Sequence, residues 1–257
     1  MHHILLRIGD FTLYTYSVLL ALAVLAGLSV SVWAGKRASL RPEHVADAVV
    51  LALLAGTVGA RAEYVLLNSE YFREQPAAVW QVWQGGLAFH GGLGFALLAV
   101  LAYAHFRRMP FWTLADALAL GMALSVAVGW MACLFGGYAY GQMGTGLLYF
   151  NWHDIFGVTA NRFAVQPLGA ILNLVLFLEL LLLALRKPPL PSGVTCIAFL
   201  FFSGLVHFGL GFWRGDDTLW FGSWRIDQWL ALGQVALAVA LAAYRAITLK
   251  SRPRAGL

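Results

Sequence analysis

LGAILNLVLFLELLLLAL, residues 168–185, carries one ionisable side chain, Glu179, in eighteen positions. An α-helix rises about 1.5 Å per residue, so roughly 20 apolar residues cross the hydrocarbon core of a bilayer. This run therefore reads as a membrane span. Six more runs of similar length flank it, and together they give spans near 12–34, 45–67, 86–106, 112–136, 164–186, 193–213 and 226–247. The second contains Arg61 and Glu63 and the fourth contains Asp116, which weakens their hydropathy. Of the 257 residues 61% are hydrophobic and 11% charged, against about a quarter charged in soluble domains. The spans leave no stretch for a separate extramembrane core, so residues 1–257 read as one all-α integral membrane domain, a seven-helix bundle.

Lys36, Arg37 and Arg41 follow the first span, Arg107 and Arg108 the third, Arg186 and Lys187 the fifth, and Arg245, Lys250, Arg252 and Arg254 the seventh. The opposite connections hold Arg7, Arg73, Arg162 and a balanced cluster of Arg214, Asp216, Asp217 and Arg225. The positive-inside rule then predicts an outer N-terminus and a cytoplasmic C-terminus. The net charge of +5 is explained by topology and anionic lipid, and no nucleic-acid partner is expected. Met1–Asp10 lacks a charged region followed by a cleavage site, so the first span reads as retained. Cys133 and Cys196 both fall within spans, which excludes a disulfide framework and a cysteine metal site; no metal or cofactor is expected.

The outer segments 68–85 and 137–163 exceed minimal connections and are rich in aromatic residues. They read as interfacial elements at headgroup level.

Three groups of residues carry possible chemistry. In Trp83–Gly92, WQGGLAFHGG, paired glycines flank a single imidazole. His90 there can act as a general base for a thiol or hydroxyl, or it can bond a carbonyl across a glycine-packed helix interface. In Gly59–Tyr64, GARAEY, Arg61 and Glu63 should face the bundle interior. They lie two residues apart, so they do not share a helix face and should have different partners. Arg61 is either a phosphate clamp for a headgroup or the partner of Asp116 or Glu179 in a buried ion pair. His207 and Arg214 end the sixth span seven residues apart, hence on one helix face, and that face can line an outward-opening cavity. The alternative is a snorkelling arginine beside a solvated acidic turn.

At these residues the sequence resembles the prolipoprotein diacylglyceryl transferases, over most of its length. The run W-x-G-G-x-x-F-H-G-G at 83–92 is similar to that family's histidine motif, and Gly59-Ala60-Arg61-x-x-Tyr64 to its second-span motif. Tyr16 stands where the family has a functional tyrosine, Asp116 at an acidic position, and Gln166 at the glutamine of the fifth span. The resemblance implies transfer of diacylglyceryl from phosphatidylglycerol, or another membrane phospholipid, to the cysteine thiol at a prolipoprotein signal peptide, in the bacterial cytoplasmic membrane. It implies catalytic roles for His90 and Tyr16 and headgroup binding by Arg61, Arg214 and Gln166; His207 adds a second candidate catalytic imidazole, and Gly91 and Gly92 let a headgroup approach closely.

The family's signature G-R-x-G-N-F-x-N-x-E-x-x-G reads Gly129–Gly141 here, GWMACLFGGYAYG. Trp130 replaces the arginine, Cys133 and Gly136 the two asparagines, and Tyr138 the glutamate. His207 and Gly211 stand where the sixth span of the family has an arginine and a glutamate, while Arg214 matches its next arginine. Cys133 lies among Met131, Leu134 and Phe135 without an activator and reads as packing. Expulsion of an anionic glycerol phosphate calls for Arg-type stabilisation, which Trp130 cannot supply. Three functions fit: the family's own transfer, a transferase of the same fold with another donor or acceptor, and a noncatalytic lipid-binding subunit of a membrane complex.

Overall fold

A computed structural model describes residues 4–9 and 11–250. Arg252 and Arg254 of the basic tail and Met1–His3 and Asp10 of the N-terminal stretch lie outside the described residues. Seven helices are long and apolar enough to cross a membrane: α1 (Thr15–Arg37), α2 (Pro42–Leu67), α4 (Phe89–Phe106), α5 (Phe111–Gly136), α6 (Val165–Leu185), α7 (Val194–Gly211) and α8 (Ile226–Lys250). A short helix, α3 (Ser69–Glu74), and two 3-10 turns, Pro76–Trp80 and Val82–Gln84, connect α2 to α4. Three antiparallel hairpins complete the chain: β1 (Ile4–Ile8) with β2 (Phe11–Tyr14), β3 (Tyr149–His153) with β4 (Thr159–Phe163), and β5 (Trp220–Phe221) with β6 (Trp224–Arg225).

The first span starts at Thr15 rather than at 12, because Phe11–Tyr14 pairs with β1. The seven spans alternate in direction. One end of the bundle therefore collects Tyr16, the C-terminal turns of α2, α5 and α7, the first turns of α4, α6 and α8, and all three hairpins. We call it the site end. The other end carries the basic loops.

Small residues bring the spans together, as expected where lipid gives helices no hydrophobic reason to associate. On antiparallel α1 and α5, a Cβ on Gly121 would lie 2.3 Å from the Gly27 carbonyl oxygen, and Ser125 Oγ donates to the Ala23 carbonyl at 2.8 Å. On α2 and α4, a Cβ on Gly59 would lie 2.4 Å from the Gly91 carbonyl oxygen. Gly56 and Gly92 make the next contact of this crossing. Between α7 and α8, Gln234 Nε2 donates to the Leu200 carbonyl and to Ser203 Oγ, at 2.8 and 2.7 Å.

Asp116 settles at the basic end. Its carboxylate accepts the backbone N–H groups of Gly193 and Cys196 at 2.6 and 2.8 Å, capping the first turn of α7. It is therefore not a partner of Arg61.

Candidate functional site

Arg61 is buried near the end of α2, and backbone carbonyls surround its guanidinium. Nε donates to Val79 at 2.9 Å, Nη1 to Gly85 and Gly86 at 2.7 and 3.0 Å, and Nη2 to Ala78 at 2.6 Å. Tyr64 and Phe72 close on it with ring centroids 5.7 and 5.2 Å from the guanidinium carbon. The ion pair expected with Asp116 or Glu179 is replaced by this cage, since carbonyls can satisfy a guanidinium fork without bringing a second charge into the bundle. Gly85 and Gly86 make the cage possible: both have positive φ, +90° and +76°, and a Cβ on Gly86 would meet the Tyr64 ring at 2.5 Å. A cavity of about 350 Å³ opens beside the cage, lined by Tyr64, Asn68, Tyr71 and Phe72.

Glu63 has a different partner, as its spacing from Arg61 predicted. It accepts the Gly91 N–H in the first turn of α4. This favourable site for a carboxylate at a helix N-terminus lies next to His90. Gly91 and Gly92 face α2 and permit the helix crossing.

The His90 imidazole is half-buried, and its Nε2 is buried without a hydrogen-bond partner among the described residues. His207 lies beside it, ring centroids 5.7 Å apart. Phe89 stacks on His207 at 4.2 Å and 22°, and Trp130 tilts over it at 5.8 Å. His207 Nδ1 lies 3.0 Å from the Ser203 carbonyl. A tautomer protonated at Nδ1 donates there and leaves Nε2 as an acceptor. The indole of Trp130 fills the space above Gly169, where a Cβ would lie 2.6 Å from it.

Arg214 lies beyond the helix carrying His207, which corrects the expectation of one shared helix face. α7 stops at Gly211, because the following backbone bonds to the segment after α5: Gln142 N–H donates to the Trp213 carbonyl at 2.8 Å and Gly215 N–H to the Tyr140 carbonyl at 2.7 Å. Nor is the acidic turn merely solvated. Arg214 donates to Asp216 through Nε and Nη2 and to Asp227 through Nη1 at 2.8 Å. Arg225, 1% exposed, donates to the same two carboxylates at 3.2 Å. Two arginines and two aspartates thus cancel. Burial opposes the charge on Arg214, but Asp216 and Asp227 outweigh it and raise the guanidinium pKa.

Tyr16 and Gln166 meet at the segment after α5. The Tyr16 ring lies 5.0 Å from that of Tyr138, and Gln166 Nε2 donates to the Tyr138 carbonyl at 3.0 Å. A buried ion pair, Arg162 with Asp154 at 2.7 Å, ties β4 to the loop after β3. The structure thus brings His90 and His207 together, sets Tyr16 and Gln166 around Tyr138, and holds Arg61 in a separate cage. Sequence reasoning missed Phe89 as a stacking partner, Glu63 as a cap and Asp227 as the shared acid. Only Glu63 left a signal, a carboxylate inside a span. Among the described residues no group of three or more His, Cys, Asp and Glu could hold a metal ion.

Seven spans long and apolar enough to cross a bilayer, with the candidate site residues gathered at one end amid three hairpins bearing exposed aromatic residues, define a multi-pass membrane protein. A sequence profile described as prolipoprotein diacylglyceryl transferase matches residues 3–244, and the chain belongs to that family. It is 30% identical over 247 residues to the phosphatidylglycerol–prolipoprotein diacylglyceryl transferase of Nostoc sp., covering 92% of this chain and 87% of the relative. It is 31% identical over 253 residues to the protein of that name from Bacillus mycoides, covering 93% and 90%. With the protein of that name from Bacillus licheniformis it shares 29% over 251 residues, covering 95% and 93%.

Proposed function

We propose that this protein transfers a diacylglyceryl group from phosphatidylglycerol to the cysteine thiol of a lipoprotein precursor. It acts as a single domain in the bacterial cytoplasmic membrane, with the basic end in the cytoplasm and the site end outside. The observation that carries this reading is the buried Nε2 of His90 at the site end, which has no hydrogen-bond partner among the described residues. Such an atom can accept the thiol proton. The resulting thiolate attacks the terminal glyceryl carbon of the donor, and the bond from that carbon to the phosphate oxygen breaks. Glycerol phosphate leaves with the bonding electrons, and the thiol's proton passes from His90 to the medium. His207 packs against His90 and offers a second imidazole, and Tyr16 offers a hydroxyl to the departing phosphate. Gln166 and Arg214 bound the headgroup region. Arg61 acts by fixing residues 76–86, and Gly91 and Gly92 by letting α4 sit close to α2.

The test is the purified protein with phosphatidylglycerol and a lipobox peptide, both followed by mass. Transfer that His90→Ala abolishes supports the reading; a folded protein that transfers nothing refutes it.

One observation favours a second reading. Trp130 packs on His207 at two positions where the family pattern has arginines, and Arg214 is matched by two carboxylates. A site with its cations so reduced suits a different donor lipid, or a lipid-binding role within a membrane complex. Co-purification of another lipid, or of stable membrane partners, with no transfer from phosphatidylglycerol would select it.

A further inference from the structure

Between α6 and α7 a groove of about 330 Å³ runs along the outer surface of the bundle, walled by Leu172, Phe202, Val206, Leu210 and Trp213. Glu179 also lines it, an exposed carboxylate within the span. Among the described residues no basic side chain is ion-paired with it. Glu179 stands six residues before the end of α6, about 9 Å inside the helix end. Its Cα–Cβ bond tilts toward the helix N-terminus and so away from the nearer end of the bundle. It cannot escape to the interface as a longer side chain would. An ionisable group held in hydrocarbon calls for a partner.

We infer that this groove seats the signal-peptide helix of the acceptor, with Glu179 receiving a lysine or arginine from the start of that helix. The inference rests on the transferase reading. A signal peptide has a basic beginning followed by 7–15 apolar residues. Its basic beginning stays at the cytoplasmic end, the end nearer Glu179. From Glu179 to Leu168, which lines the groove nearer the site end, α6 advances eleven residues, about 16 Å. An apolar helix of the same length fits that interval, and its C-terminal end, where the acceptor cysteine follows, then reaches Leu210 and Trp213, next to Arg214. The groove's inner wall supports this registration, because Leu168, Val206 and Leu210 pack in one cluster with Trp130, which in turn contacts His207.

The experiment uses the full chain in phosphatidylglycerol–phosphatidylethanolamine vesicles, with a benzophenone side chain introduced at Leu172 or Phe202. Leu54 and Val239, exposed on α2 and α8, serve as control positions. The probe is a lipobox peptide whose cysteine is replaced by serine, so capture does not depend on turnover. Two lysines, or two glutamates, precede its apolar run. Expected is capture of the lysine peptide at Leu172 and Phe202 only. Glu179→Lys should reduce that capture about five- to tenfold, the scale of a polar contact between membrane helices. The same variant should capture the glutamate peptide instead. Equal capture at the control positions, indifference to Glu179→Lys, or crosslinks only to lipid or to a second copy of the chain would overturn the inference. A protein that captures but does not transfer refutes the proposed activity alone; one that transfers without groove capture refutes the groove alone.

Discussion

The indole of Trp130 lies 5.8 Å from the imidazole of His207, so two positions at which this chain departs from its family's pattern touch each other. Two arginines could not occupy this space at such a distance without counter-charges. A tilted indole and imidazole can, and His207 takes the carbonyl of Ser203 as its polar partner. The replacement is therefore coupled, and Gly169 is its third member, since a Cβ there would lie 2.6 Å from the indole.

A double-mutant cycle tests that coupling. Trp130→Ala removes a large buried ring and should cost about 3–5 kcal/mol. Gly169→Ala overpacks the same spot and should cost about 1–3 kcal/mol. Combined, the alanine at 169 faces the space the indole left, so its penalty should vanish. Thermal unfolding in detergent reads all three variants; additive losses would mean the two residues do not share this space.

Arg61→Lys should not pass as conservative. The guanidinium meets four carbonyls in a fork that one ammonium cannot reproduce. Charged hydrogen bonds are worth about 1.5–3 kcal/mol each, and allowing for those lysine still makes, a net loss of about 2–4 kcal/mol is expected. The loop should loosen first, and Trp80 and Trp83, 79% and 77% exposed, would then be cut faster by chymotrypsin. Wild-type cleavage rates in Arg61→Lys would show that the cage does not hold the loop.

The seven spans were legible because lipid imposes length and hydropathy directly on sequence. The partners of the charged residues were not. The sequence offers Arg61 a headgroup phosphate or the carboxylates Asp116 and Glu179, whereas the groups that satisfy it are main-chain carbonyls of a loop, and every residue carries one. Asp116 binds N–H groups for the same reason. Paired glycines announced close approach in Trp83–Gly92, but one pair, Gly85–Gly86, shapes a turn and the other, Gly91–Gly92, a helix crossing. Arg214 seemed to continue a helix because nothing local marks where bonds from Tyr140 and Gln142 draw the strand away. The neighbourhood of His90 was visible as a motif. Its edge-on contact with His207, which Trp130 in turn covers, required three separate spans to be placed.

Tyr138 and Tyr140, beyond the end of α5, give a pH dependence. Burial raises both hydroxyl pKa values above the ordinary 10.0, with Cys133 adding to it for Tyr138 and Asp217 for Tyr140. An acid whose folded-state pKa is raised binds its proton more tightly folded than unfolded. Its contribution is present in full below pH 10.0 and is lost as pH rises from there through the folded-state value. Stability in detergent should therefore fall more steeply above pH 10.0 in the wild type than in the double variant Tyr138→Phe, Tyr140→Phe. Parallel curves would remove these tyrosines from the account.

Asp227 is shared by Arg214 and Arg225, and Asp216 takes the other ion pair of each, so the two arginines and two aspartates present no net charge to a ligand. Asp227→Asn leaves one positive charge uncompensated beside the histidine pair, while the asparagine can still accept one hydrogen bond. The cost in stability should be about 3 kcal/mol, because Asp227 also compensates Arg225, which is 1% exposed, and removing one partner of a buried pair leaves the other charge unmatched. The gain should appear in binding: glycerol phosphate or another soluble phosphate monoester should protect the variant from heat more than the wild type, with about tenfold tighter apparent affinity that weakens as salt is added. Arg214→Gln in the same background should abolish the gain, which assigns it to that guanidinium rather than to a loosened loop. If Asp227→Asn binds the phosphate no better, the two carboxylates do not limit the cation, and the absence of arginine at 130 and 207 becomes the stronger reason to look for a different donor lipid.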